Sequence, residues 1–146
     1  MADETVNPFE EGLRYFLQGD TASAQIFFEE AATRDNPPLL TAYLAFCMAK
    51  EQREVKKGIS LVLEAIRQEP RNSELYLLLG KIHLLAGQKS AAIRVFRLGL
   101  RYERNQRIHA ELGALGIRRR PPLPFLTRSN PINKYLGIFL KRAGLR

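Results

Sequence analysis

Residues with intrinsic reactivity are few in this chain: one cysteine, Cys47, and two histidines, His83 and His109. Nucleophilic, acid–base or metal chemistry needs further groups converging on the reactive atom, and the surrounding sequence supplies none at a useful spacing. Cys47 stands between Phe46 and Met48, a setting that suits a buried and inert thiol. A single cysteine excludes both an intramolecular disulfide and a thiolate cluster within one chain. His83 lies among Ile82, Leu84 and Leu85, where a satisfied core histidine is expected, and His109 has no evident partner. Glu10-Glu11 and Glu29-Glu30 are adjacent pairs whose side chains diverge, so they read as solvated surface. No phosphate-binding glycine loop, metal-ligand spacing or nucleophile motif occurs. The expectation is a protein that is not an enzyme and uses no cofactor or metal.

The elements that carry these residues follow from composition and pattern. A length of 146 residues, 45% apolar and 26% charged, matches one globular domain. Uncharged apolar runs such as 75–80 fall far short of the roughly 20 residues of a membrane span. The start, Met1-Ala-Asp-Glu-Thr, is acidic where a secretory leader is positive, so a cytoplasmic protein is expected. The net charge of +8 is unevenly placed: residues 1–117 hold fifteen Lys and Arg against fifteen Asp and Glu. The excess is therefore carried by Arg118, Arg119, Arg120, Arg128, Lys134, Lys141, Arg142 and Arg146, in a segment with no acidic residue. A neutral body with a basic appendage is implied.

The body repeats. Gly12, Tyr15, Gly19, Ala24, Phe28 and Ala31 are matched in spacing by Gly80, His83, Gly87, Ala92, Phe96 and Gly99, at an offset of 68 residues, twice 34. A middle copy holds Ala45, Gly58 and Ala65 and ends at Pro70; from Ala45 to Gly58 is 13 residues where the other copies have 12, which places an extra residue in the turn 51–54. Small residues at fixed places mark close contacts between paired helices, with large side chains filling the space beside them. Asn7 before Pro8 caps a first helix, Gly19-Asp20 breaks and recaps, and Asn36-Pro37-Pro38 stops the second. Helices are predicted at about 7–18, 21–34, 39–51, 55–69, 73–86 and 89–102, with a seventh at about 105–115 carrying Ile108, Leu112 and Leu115 to cap the open end.

This pattern resembles the tetratricopeptide repeat over about residues 5–106, most closely in the first and third copies. It departs from it where Pro8 and Glu11 take usually apolar places, where His83 replaces a tyrosine, and where Arg104 stands for the terminal proline; Pro37 falls one residue late. The resemblance implies an all-α, right-handed superhelix of three helical hairpins (about 5–38, 39–72 and 73–106) plus the capping helix, as a domain over 5–116. It also implies that the first helix of each pair lines a concave groove. Carried over position by position, the groove is Val6, Phe9, Leu13, Phe16 and Leu17 in copy one, Leu39, Ala42, Phe46, Ala49 and Lys50 in copy two, and Glu74, Leu77, Lys81, Leu84 and Leu85 in copy three. Only Lys50 and Lys81 match the basic residues with which some family members clamp an acidic carboxyl terminus. The groove is otherwise apolar and expects an occupant: a partner helix or peptide, a second copy in a homodimer, or the chain's own tail. A register shifted by one in copy one would instead make Phe9, Leu13 and Phe16 ordinary core, and the sequence leaves both placements open. The implied function is a protein-interaction adaptor; the alternative is a small chaperone of secretion substrates, like those of type III secretion.

The tail, 117–146, opens with Arg118-Arg-Arg-Pro-Pro-Leu-Pro-Phe-Leu126, whose prolines favour an extended segment. Ser129 or Asn130 then caps a short amphipathic helix with Ile132, Tyr135, Leu136, Phe139 and Leu140 on one side and basic residues off it. Its wording also resembles the ends of some small bacterial tetratricopeptide proteins. Docking on the body, on a partner, on nucleic acid or on an anionic membrane are the four readings. Nucleic acid ranks below protein because no nucleic-acid fold is recognisable and the body has no excess charge. Membrane binding would rest on about 1 kcal/mol per basic residue plus modest apolar burial. Docking on the body is expected through Leu123, Phe125, Leu126, Tyr135 and Phe139, with Arg118, Arg119 and Arg120 facing water or acidic surface. Burial of such side chains is worth about 1.5 to 3 kcal/mol each. Hydrogen exchange should accordingly be slowed in residues 123–140 of the monomer, and truncation after Gly116 should promote self-association; random-coil exchange throughout would leave a free basic arm.

Overall fold

The computed structural model describes residues 6–116, and the expectations placed on the tail, including Arg118, Arg119, Arg120, Leu123, Phe125, Tyr135 and Phe139, lie outside the described residues. Within them the chain is all-helical: α1 (Pro8–Leu17), α2 (Thr21–Arg34), α3 (Pro38–Glu51), α4 (Val55–Gln68), α5 (Ser73–Leu85), α6 (Lys89–Tyr102) and α7 (Gln106–Ala114). The seven helices predicted within these residues are all present, with no end displaced by more than one residue, and the helix expected after Asn130 lies outside the described residues. Of the described residues, those up to Ala110 form one compact unit, and those from Glu111 belong to a second.

Local chemistry sets these boundaries. The Asn7 side chain accepts a hydrogen bond from the Phe9 amide at 3.0 Å, and Pro8 supplies the first turn with a preset φ. Asp20 caps α2 by accepting from the Ser23 amide at 3.0 Å, and that bond holds its carboxyl below the usual carboxylate range. The α1–α2 and α5–α6 links are built alike. Gly19 and Gly87 take φ of +85° and +72°, so the amides of Asp20 and Gln88 turn back to the carbonyls of Tyr15 and His83 at 3.0 and 2.9 Å. This is the Schellman closure, and glycine enters its left-handed position without a Cβ clash.

The middle link corrects the expected location of the extra residue. All three links hold three residues, and it is α3 that runs six residues beyond Ala45 where α1 and α5 run five beyond Gly12 and Gly80. The closing bond consequently spans one residue more, from the Glu54 amide to the Met48 carbonyl at 3.4 Å, and Arg53 takes the left-handed place at φ 58°. An arginine there carries a strain of about 1 to 2 kcal/mol that glycine would not.

Packing follows the repeat. Each helix packs on its hairpin partner, α1 on α2, α3 on α4 and α5 on α6, and α3 and α5 also pack on each other. The second helices bury a narrow stripe in constant register: Ala24, Phe28 and Ala31 in α2, Gly58, Val62 and Ala65 in α4, Ala92, Phe96 and Gly99 in α6. Helix α5 is buried without interruption from Leu75 to Gly80, as befits the element with neighbours on most sides.

The contact that organises each outer pair joins a glycine to a phenylalanine ring. A methyl on Gly12 would stand 2.5 Å from Cδ1 and Cε1 of Phe28, and one on Gly80 would collide with the ring of Phe96, 2.5 Å from Cδ1. In the middle pair the equivalent positions are Ala45 and Val62, both fully buried. Where the first helix gains a methyl, the second gives up a ring. The exchange continues one position on: Gly58 replaces the alanine of the outer copies, because a methyl there would lie 2.9 Å from the Ala45 carbonyl oxygen. Gly80→Ala should therefore destabilise by about 1 to 3 kcal/mol through overpacking. Combining it with Phe96→Val, which imports the middle pair, should show a favourable coupling of about 0.5 to 3 kcal/mol in a denaturation double-mutant cycle; strict additivity would mean that the two positions do not share the space.

Candidate protein-binding face

The expected groove is carried by α1, α3 and α5, and the structure divides its residues into three groups. Phe16, Phe46 and Leu77 are core side chains, with 6%, 5% and 1% of their surface exposed, which corrects the expectation that they face outward. Ala42 and Ala49 are buried with them. The reason is a neighbour effect: Phe16 presents its ring edge-on to Tyr43 and Phe46, with centroids 5.0 and 5.3 Å away, and lies 6.4 Å from Phe28. Phe9 joins the same cluster from the other end of α1, 5.9 Å from Phe28 and 6.1 Å from Tyr43. Aromatic groups in these tilted and edge-on arrangements attract one another beyond the area they bury. Phe9 and Leu13 are half-buried, so the first copy takes an intermediate course between the two registers that the sequence left open.

Lys81 closes the cluster. Its ammonium stands 4.9 Å from the Phe16 centroid and 5.0 Å from that of Phe46, so one cation from α5 covers rings from α1 and α3. Such contacts are worth roughly 0.5 to 2 kcal/mol, and the lysine stem adds apolar cover.

The third group remains open to solvent. One helical turn beyond Leu13, Phe46 and Lys81 come Leu17, Lys50 and Leu85, all exposed, Leu17 at 68% and Leu85 at 42%. Val6 is exposed as well, and Leu39 and Leu84 are half-buried. The face that the sequence describes as an apolar groove is thus a filled aromatic floor with a rim of two leucines and a lysine.

Glu74 was expected on this face, and its carboxylate is already committed. It accepts from Arg107 Nη1 at 2.8 Å, from Asn105 Nδ2 at 2.9 Å and from the Tyr43 hydroxyl at 3.1 Å. Asn105 in addition donates to Ser73 Oγ at 3.0 Å and caps α7 by accepting from the amides of Arg107 and Ile108. Burial pushes the Tyr43 phenol up, with the Arg107 hydrogen bond acting the other way. This node joins α3, α5 and the start of α7, and sequence reasoning missed it. The available signals were Asn105 as an N-cap before the periodic 106–114 segment and a buried tyrosine that required a partner.

His83 is half-buried rather than a core residue, and its Nδ1 lies 2.7 Å from Gln88 Oε1 across the turn. His109 is exposed. Cys47 is fully buried, and burial pushes its thiol up to about 12, far from the thiolate that reaction would require. Among the described residues no group of three or more His, Cys, Asp or Glu is disposed to hold a metal ion, and no helix is long and apolar enough to cross a membrane.

Comparison of the chain with protein-family models and with curated proteins finds no match.

The division into floor and rim is measurable. Leu77→Ser should cost about 2 to 5 kcal/mol, since it empties a core site and buries a hydroxyl, whereas Leu17→Ser should stay within about 0.5 kcal/mol. Chemical denaturation of both variants checks this, and equal losses would contradict the assignment.

Proposed function

We propose that the chain is a tetratricopeptide-type adaptor that holds a segment of another protein against the rim formed by Leu17, Lys50 and Leu85. The carrying observation is that three successive first helices keep the same position exposed, while every other large apolar residue within them is buried or half-buried. Two leucines flanking an ammonium suit a segment that offers apolar side chains around a carboxylate. The recurrence of the glycine–phenylalanine contact at an offset of 68 residues supports the repeat reading on which this rests. A lone buried cysteine suits a reducing compartment, so we place the adaptor in the cytoplasm.

Site-specific photocrosslinkers at Leu17, Lys50 and Leu85, with others at the exposed Ile26 and Leu63 on second helices, test the reading in cells. One recurrent partner captured from the three rim positions and not from the two controls is the expected result. Many unrelated captured proteins would favour the chaperone alternative, and equal labelling from all five positions would overturn a rim-specific site.

A further inference from the structure

The zero net charge of the body conceals a segregated one. From Pro8 to Asp35 there are six carboxylates against two arginines, whereas from Ser73 to Arg104 there are six basic residues against two carboxylates. Of those two, Glu74 is held in the node with Arg107, and the exposed Glu103 accepts from the Ser73 hydroxyl at 3.5 Å. Helix α6 contains no acidic residue at all. Along it Arg94, Arg97 and Arg101 are exposed, and so is Arg104, which follows the C-cap residue Glu103. Among the described residues none of these four arginines is in an ion pair.

Spacings of three and four residues keep Arg94, Arg97 and Arg101 within an arc of about 60° on one side of α6, roughly 4.5 and 6 Å apart along its axis. The opposite side of the helix is held in place by buried Ala92, Phe96 and Gly99, so the row is rigidly mounted.

We propose that this arginine row on α6 is a docking face for the phosphate backbone of a nucleic-acid strand. The array is a line and not a plane, which suits a strand of regularly spaced phosphates better than the flat surface of a bilayer. Its members are arginines, whose planar forks pair two-pronged with phosphate oxygens. The eight further basic residues of 118–146, with no acidic neighbour, favour a long polyanion over a short acidic peptide.

The test uses the full chain. Binding to a labelled oligonucleotide of about 20 nucleotides, single-stranded and duplex, is followed by anisotropy from roughly 50 to 300 mM salt. The triple variant Arg94→Gln, Arg97→Gln, Arg101→Gln should keep the wild-type melting temperature, lose about 10- to 100-fold in affinity and flatten the log–log salt slope by about 2 to 3. The corresponding triple lysine variant should retain most of the slope, and Arg34→Gln on α2 should behave as wild type. No binding by the wild-type chain would overturn the proposal. So would a slope unchanged in the glutamine variant, which would assign binding to the tail alone, or equal affinity for polyglutamate or for phosphatidylserine vesicles.

Discussion

Everything in the described part of this chain depends on how closely the two helices of a pair approach. In the outer pairs a glycine backbone lies against a phenylalanine ring, Gly12 against Phe28 and Gly80 against Phe96, with no room for a methyl group. Close-packed interiors resist both voids and overpacking, so the size of one residue is set by that of its neighbour. The middle pair answers the same requirement with Ala45 and Val62, and shifts its glycine to position 58. What is conserved between the three copies is therefore a filled space, and residue identities vary around it.

That approach also decides which residues of the first helices remain exposed. Once the pairs are drawn together, the aromatic residues of α1 and α3 reach one another across adjacent helices and gather into a floor, capped by Lys81 from α5. Side chains one turn further along each first helix extend beyond this cluster and stay in solvent. The rim of Leu17, Lys50 and Leu85 is thus the residue of a packing solution, and so is its modest apolar character.

Polar groups act at the other end of α5. Three donors converge on the Glu74 carboxylate, from Tyr43, Asn105 and Arg107, and tie the first turn of α7 to α3 and α5. Ile108 is fully buried in the same turn, and a methyl on Gly99 would come within 3.0 Å of its Cδ1. A carboxylate that looks like a groove residue by position fixes a helix terminus, held by three donors of which one is a charged guanidinium.

Much of the fold was legible in the sequence, because its signals are local. Caps such as Asn7 and Asp20, the glycines at 19 and 87, and small residues recurring at a period of 34 each act within one helix or one hairpin, and they place the seven helices of the described residues. The same local logic identified Cys47 as inert. Tertiary structure alone decided the extra residue, which lengthens α3 and leaves Arg53 in the left-handed region, since a count between Ala45 and Gly58 cannot say whether helix or turn absorbs it. It also decided which residues of the predicted groove stay accessible. Periodicity assigns Phe16, Phe46, Leu77 and Glu74 to a face of their own helix, but whether that face meets water or another helix depends on neighbours some thirty or more residues away, and no pattern within the helix records them.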